Sequence, residues 1–191
     1  MSNITSNPKV TIDSNTAGNP GITIEPNTAV NSKMAIDSNI TIQKISSEIE
    51  NQITEIWGGW VKEYGCLHYG DGCCSLAALW NGKPVGFISA YPLQYPAPLQ
   101  AYQDAYIDNI EVLPDFRRQG IAARLLAMTE QWAKDYGYRQ LRSWSSDDKT
   151  EALAMWYALG YGICPAIMRG VSVKKGFEDK PICGFYVVKT L

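Results

Sequence analysis

Two arginines, a glutamine and a glycine, Arg117 to Gly120, stand directly before a run whose apolar residues return every three to four positions. The first four N–H groups of a helix have no intrahelical partner, and they carry partial positive charge. Gly120 has no Cβ to hold a phosphate away from those amides, and Ala122 keeps the next turn nearly as bare. Arg117 and Arg118 add charge-assisted donors at the rim. The set Arg117, Arg118, Gln119, Gly120, Ile121 and Ala122 therefore suits a diphosphate. It has neither the lysine of a P-loop nor the G-x-G-x-x-G spacing of a dinucleotide fold.

The stretch just upstream, "AYIDNIEV", reads as a strand with a defect. Ala105 and Ile107 fit one parity, while Ile110 and Val112 fit the other. A change of parity inside one strand means one extra residue, so a β-bulge is expected at Asp108-Asn109. Such a strand splays from its neighbour. The bare backbone around Ile110 and Val112 then suits an extended, amide-bearing ligand bound as a pseudo-strand. A diphosphate joined to an extended amide arm describes coenzyme A. Asp108 and Glu111 are the carboxylates nearest this point, on opposite sides by simple parity unless the bulge re-aims one of them.

"IEVLPDFRRQGIAARLL" resembles motif A of the GNAT superfamily of N-acetyltransferases, Arg/Gln-x-x-Gly-x-Gly/Ala, here Arg117-x-x-Gly120-x-Ala122. "AMWYALGY" resembles a later family segment, an aromatic-rich helix ending in Gly-Phe or Gly-Tyr. The likeness spans roughly residues 40 to 165, with the specific motifs within 105–161. It implies acetyl transfer from acetyl-CoA, as co-substrate, to an amine. The stretch is nearest to the aminoglycoside 6′-N-acetyltransferases, which carry an acidic residue at the place of Asp108. That favours Asp108 as the acceptor-side carboxylate, acting through water or by orienting the ammonium, with Glu111 second. The family tyrosine four residues before the helix-ending glycine falls on Trp156. Tyr157 is one place later, about 100° around the helix. That leaves Tyr157 or a water to serve the leaving thiolate, or a thiolate that leaves unaided. Trp144 stands where the aminoglycoside enzymes carry a second acidic residue.

The elements that position these groups follow from patterning. Residues 1–38 form a low-complexity tail, with "TIDSNT", "TIEPNT" and "AIDSNI" recurring every twelve residues and no aromatic residue before Trp57. Each copy offers about one isoleucine, too little to offset the entropy of ordering the chain, so this tail is expected to be disordered. Residues 39–191 form the acetyltransferase domain. A strand at "NITIQKI" precedes a helix capped by Ser47 and Glu50 and bent at Gly58-Gly59. "CSLAALW" and "PVGFISAY" flank Asn81-Gly82 as a hairpin. After the bulged strand comes a helix with Ile121, Leu125, Met128, Trp132 and Tyr136 as its stripe. "RQLRSWS" is a strand, Asp148 and Glu151 cap a helix over 149–159, and two late strands close the chain. The fold class is α/β, a mixed and mostly antiparallel sheet with flanking helices.

Other features narrow the function. The net charge of −2 argues against nucleic acid, and no apolar run approaches the roughly 20 residues that cross a bilayer. The polar N-terminus and five cysteines suggest a reduced, cytoplasmic setting. Cys66-x-His68 with Cys73-Cys74 matches no standard zinc spacing, so no metal is expected and the cysteines read as buried strand residues. His68, the single histidine, is a loop residue or a base on the acceptor side. Trp57, Trp60, Tyr64, Tyr69, Tyr91 and Tyr95, with Asp104, Asp108 and Glu111, would favour a cationic acceptor such as an aminoglycoside or polyamine. The alternatives are a protein or peptide N-acetyltransferase and a non-catalytic acyl-CoA sensor. A homodimer through the late strands is common in the family this chain resembles, and the sequence itself does not fix the stoichiometry.

Overall fold

A computed structural model describes residues 39–168 and 182–191. The expectations for residues 1–38 and for the polar loop before Ile182 lie outside them. The elements follow the order read from the sequence: β1 (Ile40–Lys44), α1 (Ser47–Trp57), α2 (Trp60–Glu63), β2 (Cys74–Trp80), β3 (Lys83–Pro92), β4 (Ala105–Val112), a short 3₁₀ turn (Pro114–Phe116), α3 (Ile121–Asp135), β5 (Gln140–Ser146), α4 (Thr150–Ala158), β6 (Gly162–Met168) and β7 (Ile182–Thr190). They form one seven-stranded sheet in the order β1-β2-β3-β4-β5-β7-β6. Every neighbouring pair is antiparallel except β4 and β5, which are parallel.

Alternation along the strands builds two cores. Ala77, Leu79 and Phe87 face α1 and α2, where they meet Ile49, Ile53 and Val61. Ile88, Ala90, Ile107, Leu141 and Val187 face the other way, toward Ile121, Leu125 and Leu126 of α3 and Trp156 of α4. Asn81 and Gly82 take φ of 48° and 79°, the two positive values a type I′ hairpin turn needs. Gly58, at φ 103°, ends α1 where the glycine pair predicts a break.

Local details differ from the sequence reading. The N-cap of α1 is Ser46, whose hydroxyl accepts the Ile49 N–H at 3.3 Å, and Glu50 instead accepts from the Tyr69 hydroxyl at 2.9 Å. The buried face of α3 is Ile121, Leu125, Leu126, Thr129 and Ala133, whereas Met128 and Tyr136 are exposed. Thr129 is tolerated there because its hydroxyl donates to the Leu125 carbonyl at 2.9 Å. No side chain caps α4: Ser146 donates to Asp148, and Glu151 turns to Arg117. Cys66 and Cys74 are buried, but Cys164 on β6 and Cys183 on β7 are exposed.

Asp104, 0% exposed, ties the β3–β4 connection to β5. Arg139 Nε donates to it at 3.1 Å, Arg142 Nη2 lies 2.8 Å away and the Tyr95 hydroxyl donates at 2.9 Å. Burial alone would raise its carboxyl, but the hydrogen bonds from Arg139 and Tyr95 and the two guanidinium charges outweigh burial and hold it below the usual range. A depressed carboxyl stabilises the fold above its ordinary pKa, and that contribution is lost as pH falls through the folded value. Asp104→Asn should lower stability to urea at neutral pH by about 3 kcal/mol, the low end for breaking a buried pair, because both arginines still reach water. Urea midpoints measured down a pH series should show the difference from wild type closing below the carboxylate range.

Candidate functional site

The register of β3 on β4 runs Ser89↔Asn109 and then Ala90↔Ile107, so Asp108 is the extra residue of a bulge. Ile110 and Val112 consequently rejoin the α3-side core with Ile107. On its other edge β4 pairs with β5 only at Ala105↔Leu141 and Tyr106↔Arg142. The last tie is the Ser143 hydroxyl, which donates to the Ile107 carbonyl at 2.9 Å. Beyond it β4 runs on to Val112 and β5 to Ser146 without pairing, so the β5-side backbone of Asp108–Val112 has no strand partner. Ile110 and Val112 can therefore serve a ligand through main chain, not through side chain.

At the far end of this gap sits the arginine loop. Arg118 has φ 61° and Gly120 φ 78°, both left-handed. The first helical bond of α3 joins the Arg124 N–H to the Gly120 carbonyl at 3.0 Å, so the amides of Ile121, Ala122 and Ala123 precede the ladder. No side chain caps them. Arg117 Nε donates to the Val112 carbonyl at 3.1 Å, and Nη1 lies 3.4 Å from Glu151 at the start of α4. Gln119 donates to the Asp115 carbonyl at 3.0 Å, which braces the turn from within. A gap of unpaired backbone leading to bare helix amides beside arginine has the donors that a polar arm ending in a diphosphate requires.

The bulge also places Asp108 against His68, whose Nε2 lies 2.9 Å from Asp108 Oδ2. Two serines fix the loop that carries His68. Its N–H donates to Ser89 Oγ at 2.9 Å and Ser75 Oγ at 3.2 Å, and Ser75 Oγ donates back to the His68 carbonyl at 2.8 Å. The imidazole rests on Tyr91 with centroids 4.3 Å apart. Burial, and then the Asp108 charge, raise the Tyr91 hydroxyl and the Cys66 thiol, and a hydrogen bond from Asn109 only partly relieves Cys66. Burial likewise pushes Tyr106 up, so the groups around Asp108 keep their protons.

Glu111 lies opposite Phe87, whose ring packs in the α1-side core. Asp108 and Glu111 thus share the α1 face of the sheet, because the bulge reverses the simple parity. Tyr157 is 77% exposed on α4, while Trp156 is 2% exposed and packs edge-on against Tyr161. Asp104 does not join the Asp108 face as an available charge, since Arg139 and Arg142 neutralise it. The His68–Asp108 pair is the grouping that sequence reasoning did not assemble. The single histidine of the chain, in a loop rich in Cys and Gly, was its only signal.

Residues 42–161 match the Acetyltransferase (GNAT) family. The chain belongs to this family. Among relatives, an aminoglycoside N(6′)-acetyltransferase type 1 from Acinetobacter genomosp. 13 is 38% identical over 68 residues, 36% of this chain and 47% of that protein. The chain spans between 47% and 63% of the aminoglycoside N(6′)-acetyltransferases it matches. Among solved structures, Arabidopsis thaliana NAA60 with a bisubstrate analogue aligns with TM-score 0.62 at 14% identity, covering 79% of this chain and 97% of that one. The ribosomal-protein-S18-alanine N-acetyltransferase of Escherichia coli aligns with TM-score 0.58 at 18% identity, covering 79% and 93%. These structural likenesses establish the GNAT fold for this chain. NAA60 has also been crystallised with acetyl-CoA.

In this GNAT domain the thiols differ by position. Burial pushes Cys74 up to about 11 and raises Cys66, whereas Cys164 and Cys183 are exposed. Iodoacetamide at about pH 8 should therefore label Cys164 and Cys183 first and leave Cys66 and Cys74 until the protein unfolds, since the thiolate is the reactive form. Peptide mass spectrometry reads the order.

Proposed function

We propose that the chain moves an acetyl group from acetyl-CoA to a primary amine of a small molecule. The observation that carries this reading is the β5-side edge of β4 at Asp108–Val112, which has no strand partner and opens beside the left-handed turn at Arg118 and Gly120. The residues fit the donor. The β5-side main chain of Asp108–Val112, apart from the Val112 carbonyl that Arg117 bonds, can bond the amides of a pantetheine arm, and the amides of Gln119–Ala122 with Arg118 and the remaining Arg117 nitrogen can hold its diphosphate. The thioester supplies an activated acyl group. The rest of the work falls to residues of this chain.

An alkyl ammonium has a pKa near 10.4 and cannot attack until it loses a proton. His68 and Asp108 are the proton acceptors, acting as a hydrogen-bonded pair in which Asp108 orients the imidazole. Their neighbours Cys66, Tyr91 and Tyr106 are held neutral, so the pair is the local destination for that proton. Glu111, on the same face, attracts a cationic acceptor. Among the described residues no hydrogen bond or ion pair occupies its carboxylate. The Tyr91 and Tyr106 rings, 5.6 Å apart, offer an apolar, cation-tolerant wall.

The aminoglycoside-acetylating relatives support a polyamine-like or aminoglycoside-like acceptor. Against the peptide alternative stands the connection from Leu93 to Asp104. It is fixed at both ends, by the Leu93 N–H donating to the Asp104 carbonyl at 2.8 Å and by the arginine clamp on Asp104, and it is not a freely yielding groove wall.

Release of CoA thiol, measured with aminoglycosides, polyamines and short peptides, tests the reading. Small amines should drive release by wild type. Asp108→Asn should lower kcat by about a hundredfold, with little change in the KM for acetyl-CoA. Gly120→Glu should raise that KM at least about tenfold, because it places a carboxylate and a Cβ where a diphosphate sits. Release driven by peptides alone would overturn the small-molecule assignment. Release independent of any amine would overturn acetyl transfer to amines.

A further inference from the structure

We infer that the Ser145 hydroxyl donates a hydrogen bond to the sulfur that leaves the acetyl group, an inference that rests on the acetyl-transfer reading above. Ser145 is 4% exposed, and its Oγ is buried without a hydrogen-bond partner among the described residues. The other buried hydroxyls do not share this condition. Ser75 and Ser89 bond each other and the His68 backbone, Thr129 bonds the Leu125 carbonyl, and Ser143 bonds the Ile107 carbonyl. Buried polar groups are nearly always paired. Of the four unpartnered side-chain atoms among the described residues, Gln52 Oε1, Trp132 Nε1, Arg142 Nε and Ser145 Oγ, only Ser145 Oγ lies on the part of β5 that β4 has left.

Its position says which partner. Along β5, Leu141, Ser143 and Ser145 alternate inward on the face that carries α3 and α4. Ser143 makes the last tie across to β4. Ser145 is the next inward residue, about 7 Å farther along, where β4 has already left. Its backbone is fixed from behind by β7. Ser145 pairs with Phe185, and a Cβ built on the adjoining Gly184 would come 2.5 Å from the Ser145 carbonyl oxygen and 2.6 Å from the Trp144 ring. By register, Ser145 thus lies on the part of β5 across from Asp108–Val112, on a backbone packed closely against β7. Neither residue of the late aromatic helix competes well for the role, with Trp156 packed in the core and Tyr157 largely in solvent.

In the step this serves, the amine has first lost one proton to the His68–Asp108 pair, which passes it to solvent. The amine nitrogen forms a bond to the acetyl carbon, and the carbon–sulfur bond breaks with its electron pair going to sulfur. Ser145 stabilises that charge by donation and keeps its own proton. The second proton released from nitrogen then neutralises the sulfur, giving amide and CoA thiol.

The full chain with CoA bound, titrated by the ultraviolet absorbance of the thiolate, reads this contact apart from turnover. Ser145→Ala should raise the bound thiol's titration midpoint by about one pH unit. It should also lower kcat about tenfold, with KM for acetyl-CoA within about twofold of wild type. Ser145→Thr, which keeps the hydroxyl, should restore most of both. An unmoved titration in Ser145→Ala, or a shift that appears in Tyr157→Phe instead, overturns the role of Ser145. Failure of the wild type to bind CoA at all would overturn the acetyl-transfer reading and this contact with it.

Discussion

Between Ser89 and Ala90 of β3, β4 carries one residue more than the register can pair, and that residue is Asp108. A bulge adds local twist and bends its strand. Here the bend falls just where the parallel pairing of β4 with β5 stops, after Tyr106↔Arg142. Parallel strands joined by a crossover helix are free to diverge at their C-terminal ends, because the helix, not a tight turn, sets their spacing. The crossover helix is α3, whose bare amides open at that same end. Unpaired strand, left-handed turn and helix terminus thus follow from a single insertion followed by a short loop. Arg117 links them by bonding both the end of β4 and the start of α4.

The same insertion sorts the carboxylates. Asp104 and Asp108 lie four residues apart on one chain segment, yet the first is enclosed by Arg139 and Arg142 while the second meets the His68 imidazole. A fully buried carboxylate between guanidinium groups stays ionised and acts as a clamp. A half-exposed one beside histidine can take part in proton traffic. The loop bearing His68 holds its place through Ser75 and Ser89, and Ser89 is the residue opposite the bulge. The pairing of imidazole and carboxylate is thereby referenced to the same point in the sheet as the gap itself.

What the sequence disclosed was what periodicity encodes. The parity change between Ile107 and Ile110 placed the bulge at Asp108-Asn109, where the register makes Asp108 the extra residue, the Asn81-Gly82 pair located the hairpin, and Gly58-Gly59 located the break between α1 and α2. What it concealed depended on partners distant along the chain. His68 reaches Asp108 across forty positions, and Asp104 is neutralised by arginines thirty-five or more positions away. Local spacing carries no trace of either contact. The inward face of α3 departs from its apolar periodicity because Met128 and Tyr136, though large and apolar, sit outside. Tyr136 stacks on Tyr138 at 6.0 Å, and Thr129 takes the inward place by bonding its own helix.

The central claim is that the free edge of β4 and the first turn of α3 together hold acetyl-CoA. Amide hydrogen exchange with and without acetyl-CoA addresses it residue by residue, because bound main chain is protected and unbound edge is not. The account predicts new protection confined to residues 108–112 and 118–123, with β1 and β2 unchanged. Acetyl-CoA binding that leaves those two segments exchanging as freely as before, or that protects a different edge of the sheet, would contradict it.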